Sequence, residues 1–114
     1  MSDFDALVVR LRRWTHDHDP HVRAAVELLI WHEIWIRRAD FQRACIEWGG
    51  REAYIDWRKA REFTDAGARA STSEMAILDL AVALGENRFK FSIMGPAHSR
   101  MIAQIVARAH GEDR

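Results

Sequence analysis

His16-Asp17-His18-Asp19-Pro20-His21 places three imidazoles and two carboxylates within six residues, a ligand set suited to zinc, nickel or copper. Histidines two apart can converge on one ion when the backbone between them is extended, and His21 would complete the set from the first turn of a following helix. The competing reading is a solvated interhelical loop whose aspartates cap helices, because metal sites draw their ligands from more than one element. We therefore expect a loop that offers His16, His18 and His21 as a weak site, and no dedicated metal or other cofactor.

His32-Glu33 resembles the start of a zinc-protease helix, but that chemistry needs a second histidine one turn on, where this chain has Ile36. His32 reads instead as a hydrogen-bonding residue of a partly buried helix, where an unsatisfied titratable group would be costly. Cys45 would act as a nucleophile only beside a base and an orienting group, and no such signature surrounds it. It reads as a small core residue. With no glycine-rich phosphate loop, nucleophile elbow or paired-carboxylate motif, the expectation is a protein without catalysis.

Residues for binding are better represented. Trp31 and Trp35 lie one turn apart on a helix and are followed by Arg37 and Arg38, the composition of a protein-contact hot spot. Trp31, Trp35 and Arg38 are the candidate partner-binding residues, the alternative being a helix enclosed by its neighbours. A second group interleaves Arg51, Arg58, Lys59, Arg61 and Arg69 with Tyr54 and Trp57. Arg51, Tyr54, Arg58 and Arg61 would then follow a phosphate backbone. Glu52, Asp56, Glu62 and Asp65 dilute that face and favour a salt-bridged helix surface instead.

These residues must be positioned by helices. Phe4, Leu7, Val8, Leu11 and Trp14 recur at helical spacing from about Asp3 to Trp14, with acids at the start and bases at the end, as the helix dipole prefers. Asp19-Pro20 predicts the start of a second helix, whose run Leu28 to Ile36 is apolar nearly all the way round. That helix either continues to Trp48 or bends near Ala39-Asp40, and Gly49-Gly50 is the clearest break in the chain. A polar helix is expected from Arg51 to Ala66, ending at Gly67. Ser71-Thr72-Ser73-Glu74 then predicts a capped helix over Thr72 to Leu84, closed by Gly85. Residues 88–94 read as a short extended connector, and Gly95-Pro96 as the opening of a last amphipathic helix.

At 114 residues the chain is sized for one domain, read as spanning 1–114. Acidic and basic residues balance at 17 each, so no global field favours nucleic acid or an anionic membrane, and a partner must be recognised by a patch. Fifteen of the 17 bases are arginine, a bias we attribute to genome composition. One cysteine excludes an intrachain disulfide and suits the cytoplasm. The acidic N-terminus and the short apolar run at Leu28 argue against export and membrane insertion. The expectation is thus an all-α, compact bundle of about five helices around an apolar second helix. Its expected function is protein binding, with a partner protein or with itself as a homodimer, in the manner of a phage or mobile-element inhibitor or accessory factor. Nucleic-acid binding through the Arg51–Arg69 face is the alternative.

Overall fold

Ser2 begins the ordered architecture by capping the first helix. In the computed structural model, which describes residues 2–87, its hydroxyl accepts a hydrogen bond from the Asp5 amide (3.1 Å) while the Asp5 carboxylate accepts from the Ser2 amide. This reciprocal pair satisfies donors that the first turn of a helix leaves open. Helix α1 then runs Asp3–Thr15 and buries Leu7, Leu11 and Thr15.

Pro20 opens α2, Pro20–His32, as its fixed backbone angle predicts. Asp19 makes no side-chain cap; its carboxylate instead lies 3.5 Å from His21 Nε2. Leu28, Leu29 and Ile30 are consecutive and all buried, so α2 is enclosed on several sides as its apolar run requires. Helix α1 and the helix over Thr72–Gly85 supply much of that enclosure.

The second helix neither continues to Trp48 nor makes its first bend at Asp40. It ends at Glu33, whose φ of 66° is left-handed, and restarts as α3, Ile34–Arg37. The reason is packing. An unbroken helix would put Trp31 and Trp35 on one face, whereas the break keeps Trp31 outside and turns Trp35 and Ile36 into the core alongside Leu28 and Leu29. A second break at Arg38, in extended conformation, precedes α4, Ala39–Cys45, close to the bend expected at Ala39-Asp40.

Beyond Cys45 the structure corrects the reading again. Ile46–Trp48 is a strand, β1, and Ala53–Ile55 is its antiparallel partner, β2, so the double glycine sits in a hairpin loop rather than between two helices. The pairs are Ile46 with Ile55, Glu47 with Tyr54 and Trp48 with Ala53, and the Gly49 amide closes the turn onto the Glu52 carbonyl (2.8 Å). Helix α5, Trp57–Ala66, therefore starts six residues later than Arg51. It is capped by the Asp56 carboxylate on the Lys59 amide and ends at Gly67, whose φ of 79° a side chain would resist.

Helix α6, Thr72–Gly85, has the expected capping box, with Ser71 and Glu74 each accepting from the other's amide. It lies along α2 and against α5. A methyl group at Gly85 would overlap the Trp57 indole, so this glycine lets α5 and α6 approach. Among the described residues the architecture is six helices and one hairpin around a single core, an all-α bundle with a small two-stranded addition. The connector expected at 88–94 and the helix expected from Gly95-Pro96 lie outside the described residues. Among those residues, no helix is long and apolar enough to cross a membrane.

Candidate functional site

The break at Glu33 divides the proposed tryptophan pair. Trp35 is fully buried: its indole N–H donates to the Glu74 carbonyl (2.7 Å), and its ring packs with Phe41 and Phe63 at centroid distances of 6.5 and 5.9 Å. Arg38, also proposed as a surface contact, is committed as well. Its fork spans both Asp40 oxygens (3.0 and 2.7 Å), its Nη1 donates to the Arg69 carbonyl, and its guanidinium lies 4.7 Å over the Trp35 ring. The Arg38 hydrogen bonds hold the Asp40 carboxyl below its ordinary pKa. Trp35 and Arg38 therefore fasten the core, and of the three candidates only Trp31 faces solvent, 42% exposed beside Ile34.

The three histidines are placed on different partners. His21 Nδ1 meets the Leu84 carbonyl at 3.0 Å, His18 packs its ring on Trp14 at 5.0 Å, and His16 is exposed at the end of α1. Among the described residues no three His, Cys, Asp or Glu side chains are grouped to hold a metal. His32 departs from expectation, since its Nδ1 is buried without a hydrogen-bond partner. Cys45 is buried, and desolvation, with Asp56 and Asp40 adding to it, pushes its thiol up to about 12. Such a thiol is a core residue without nucleophilic character at neutral pH.

The Arg51–Arg69 face is also split. Arg61 is shared by Asp65, Asp79 and Glu86, and Lys59 pairs with Glu47 at 2.7 Å, so its middle is a salt-bridged surface. Arg58 stays exposed on α5. Arg51 and Tyr54 belong to the hairpin and face elements of α1 instead.

The richest open surface is where α1 meets that hairpin. Trp48 is 52% exposed, although it shares a strand face with buried Ile46. It stands beyond the end of the core, at the mouth of the loop, and α1 supports it through Arg10, whose guanidinium lies 5.3 Å over the indole. Two open grooves flank it. One, of 540 Å³, is walled by Asp3, Phe4, Arg10, Arg37 and Gln42; the other, of 270 Å³, by Ala39, Gln42, Arg43 and Ile46. Gln42 is common to both and is fixed by donating to the Ile36 carbonyl (2.8 Å). Arg37 is held by Glu33 at 2.9 Å and lies over the Phe4 ring at 3.8 Å. Among the described residues Arg10 and Arg43 form no ion pair, so Trp48 is an exposed ring set between two cations, with Asp3 the one carboxylate in the groove walls.

Sequence reasoning misses Trp48 as a site residue because helical spacing extends through residue 48. The alternation of Ile46 and Trp48, then Ala53 and Ile55, about Gly49-Gly50 was the available signal, since apolar alternation on both sides of a glycine pair marks a hairpin. No protein-family model matches this chain, and neither a curated protein nor a solved structure is significantly similar to it.

Proposed function

We propose that this protein is a small, non-catalytic binding module that docks an acidic protein segment, bearing an apolar side chain, on the Trp48 surface. The observation that carries this reading is the half-exposed Trp48 ring standing between two grooves, with Arg10 and Arg43 unpaired among the described residues. Tryptophan and arginine dominate the energetics of protein contacts, because a rigid ring and a planar cation bury area at low entropic cost. Unpaired guanidiniums next to that ring favour carboxylates in the partner and steer its approach. A second copy of the chain fits less well, since a two-fold contact would set Arg10 and Arg43 against themselves. A cytoplasmic location, in keeping with a single reduced cysteine, belongs to the same reading.

Selection from a random-peptide display library, followed by affinity measurement of the recovered peptides, tests it. Enriched peptides should pair Asp or Glu with an aromatic or aliphatic residue. Trp48→Ala should weaken them about tenfold, or ~1.4 kcal/mol, with melting unchanged. Peptides without acidic residues, or peptides that bind Trp48→Ala as well as the native protein, would overturn the proposal.

A further inference from the structure

On the other flank of the hairpin loop, α1 and the loop enclose a separate open groove of 590 Å³ lined by Val9, Arg12, Arg13, His16, Arg51 and Glu52. Its walls carry three guanidiniums against one carboxylate. Two of the cations are held in place. Arg12 presents Nε and Nη2 to the two oxygens of Glu27 (3.1 and 3.0 Å), and Arg13 Nη1 donates to the Arg51 carbonyl (3.3 Å). Glu27 is only 3% exposed. Burying a carboxylate is costly, and a buried ion pair is weak evidence of stabilisation, so what Glu27 supplies is a fixed direction for Arg12. Glu27 takes Nε and Nη2 of Arg12 and leaves Nη1 outside that pair. Among the described residues the Arg51 side chain has no ion pair or hydrogen bond.

The same two elements carry a row of rings. Trp14 follows Arg13 in α1, and Tyr54 lies three residues after Arg51 in the hairpin. Trp14 sits 5.0 Å from His18 on one side and 5.9 Å from Tyr54 on the other. Tyr54 is 43% exposed and His18 is exposed. Cations that track a chain of phosphates, next to rings that accept unpaired bases, are the two components of single-strand recognition. The groove is too open to enclose a small phosphate ester, which suits a phosphate carried on a longer chain.

We infer that the Arg12–Arg13–Arg51 groove, together with the exposed Tyr54 ring of the same hairpin, forms a binding site for single-stranded nucleic acid, distinct from the Trp48 grooves. The arginines contact successive phosphates and Tyr54 stacks a base. The proposal holds for DNA and RNA alike, because neither contact reads the sugar.

Fluorescence anisotropy with labelled oligothymidylate and oligouridylate of about twelve nucleotides tests it, a length within the roughly 4–16 nucleotides that single-strand sites cover. Both should bind, with affinity falling steeply as salt rises. Arg51→Glu, in an exposed loop, should weaken binding at least tenfold and flatten the salt dependence. Tyr54→Ala should weaken it roughly tenfold and leave the salt slope unchanged. Circular dichroism melting of each variant establishes that the fold is intact. No binding of either strand at low salt would overturn the proposal. So would equal affinity for a duplex of the same length, equal affinity for a polyglutamate peptide, or affinity unchanged in folded Arg51→Glu.

Discussion

The α2–α6 contact and the α1–hairpin contact are built from similar residues and end differently. Along α2 and α3, most of a run of leucines, isoleucines and tryptophans is closed off: Leu28, Leu29, Trp35 and Ile36 are buried, the indole N–H of Trp35 donates to a carbonyl of α6, and only Trp31 and Ile34 of the run stay half open. At the hairpin, fewer apolar residues leave Trp48 and Tyr54 half open with arginines beside them. Apolar density therefore marks what the fold consumes, and a large ring near a loop marks what it leaves over. The difference comes from chain direction. Two breaks, at Glu33 and Arg38, turn Trp35, Ile36 and Phe41 into the core, whereas β1 carries its last residue, Trp48, past it.

The sharpest way to separate the two regions is to truncate one tryptophan in each. Trp35→Ala removes a buried ring and its hydrogen bond, and should cost roughly 3–5 kcal/mol, enough to unfold a marginal domain, as read by thermal melting. Trp48→Ala should stay within about 0.5 kcal/mol of the native protein. Equal losses would erase the distinction between closed and open regions. Gly85→Ala comes next, at about 1–3 kcal/mol, because the new methyl overlaps the Trp57 ring. Adding Trp57→Leu should recover much of that loss if overlap is its cause, and no recovery would point to backbone strain instead.

Capping the closed region is a smaller effect. Ser71→Ala removes one half of the capping box and should cost about 1 kcal/mol by denaturant unfolding. Acid should act on the same end of the molecule. Glu74 is held below its ordinary value of 4.5 chiefly by hydrogen bonds from Ser71, and Asp40 below 3.8 chiefly by those from Arg38. Carboxyls with lowered pKa in the folded state stabilise it fully above those ordinary values, and the contribution is lost as pH falls through the lowered ones. Melting temperature should therefore drop on acidification in that range, and the drop should be shallower in Asp40→Asn; an identical acid limb would remove Asp40 from the account.

Much of this was legible in the sequence. The Ser71–Glu74 box, the Pro20 start, the stop at Gly67 and the enclosure of α2 all follow from local rules of capping and periodicity. The break at Glu33 was not, because glutamate has no preference for left-handed backbone and is held there by what the packing of Trp35 and Ile36 gains. The hairpin was hidden for a related reason. Its strands are three residues each, too short for alternation to outweigh the helical spacing of Phe41, Ala44, Cys45 and Trp48. The candidate surfaces depended on both errors. Arg38 is held by Asp40 and by the carbonyl of Arg69, 31 residues away, and Arg13 and Arg51 are 38 residues apart in the chain, proximities no local pattern encodes.

Cys45 gives the molecule a clock of its own. As the single thiol, sealed where α4 turns into the hairpin and protonated at any physiological pH, it is silent toward alkylating reagents while the fold is closed. Each labelling event then records one opening of the core. Timing that reaction at reagent concentrations where alkylation outpaces reclosing, with no mutation added, counts how often the floor beneath the hairpin lifts.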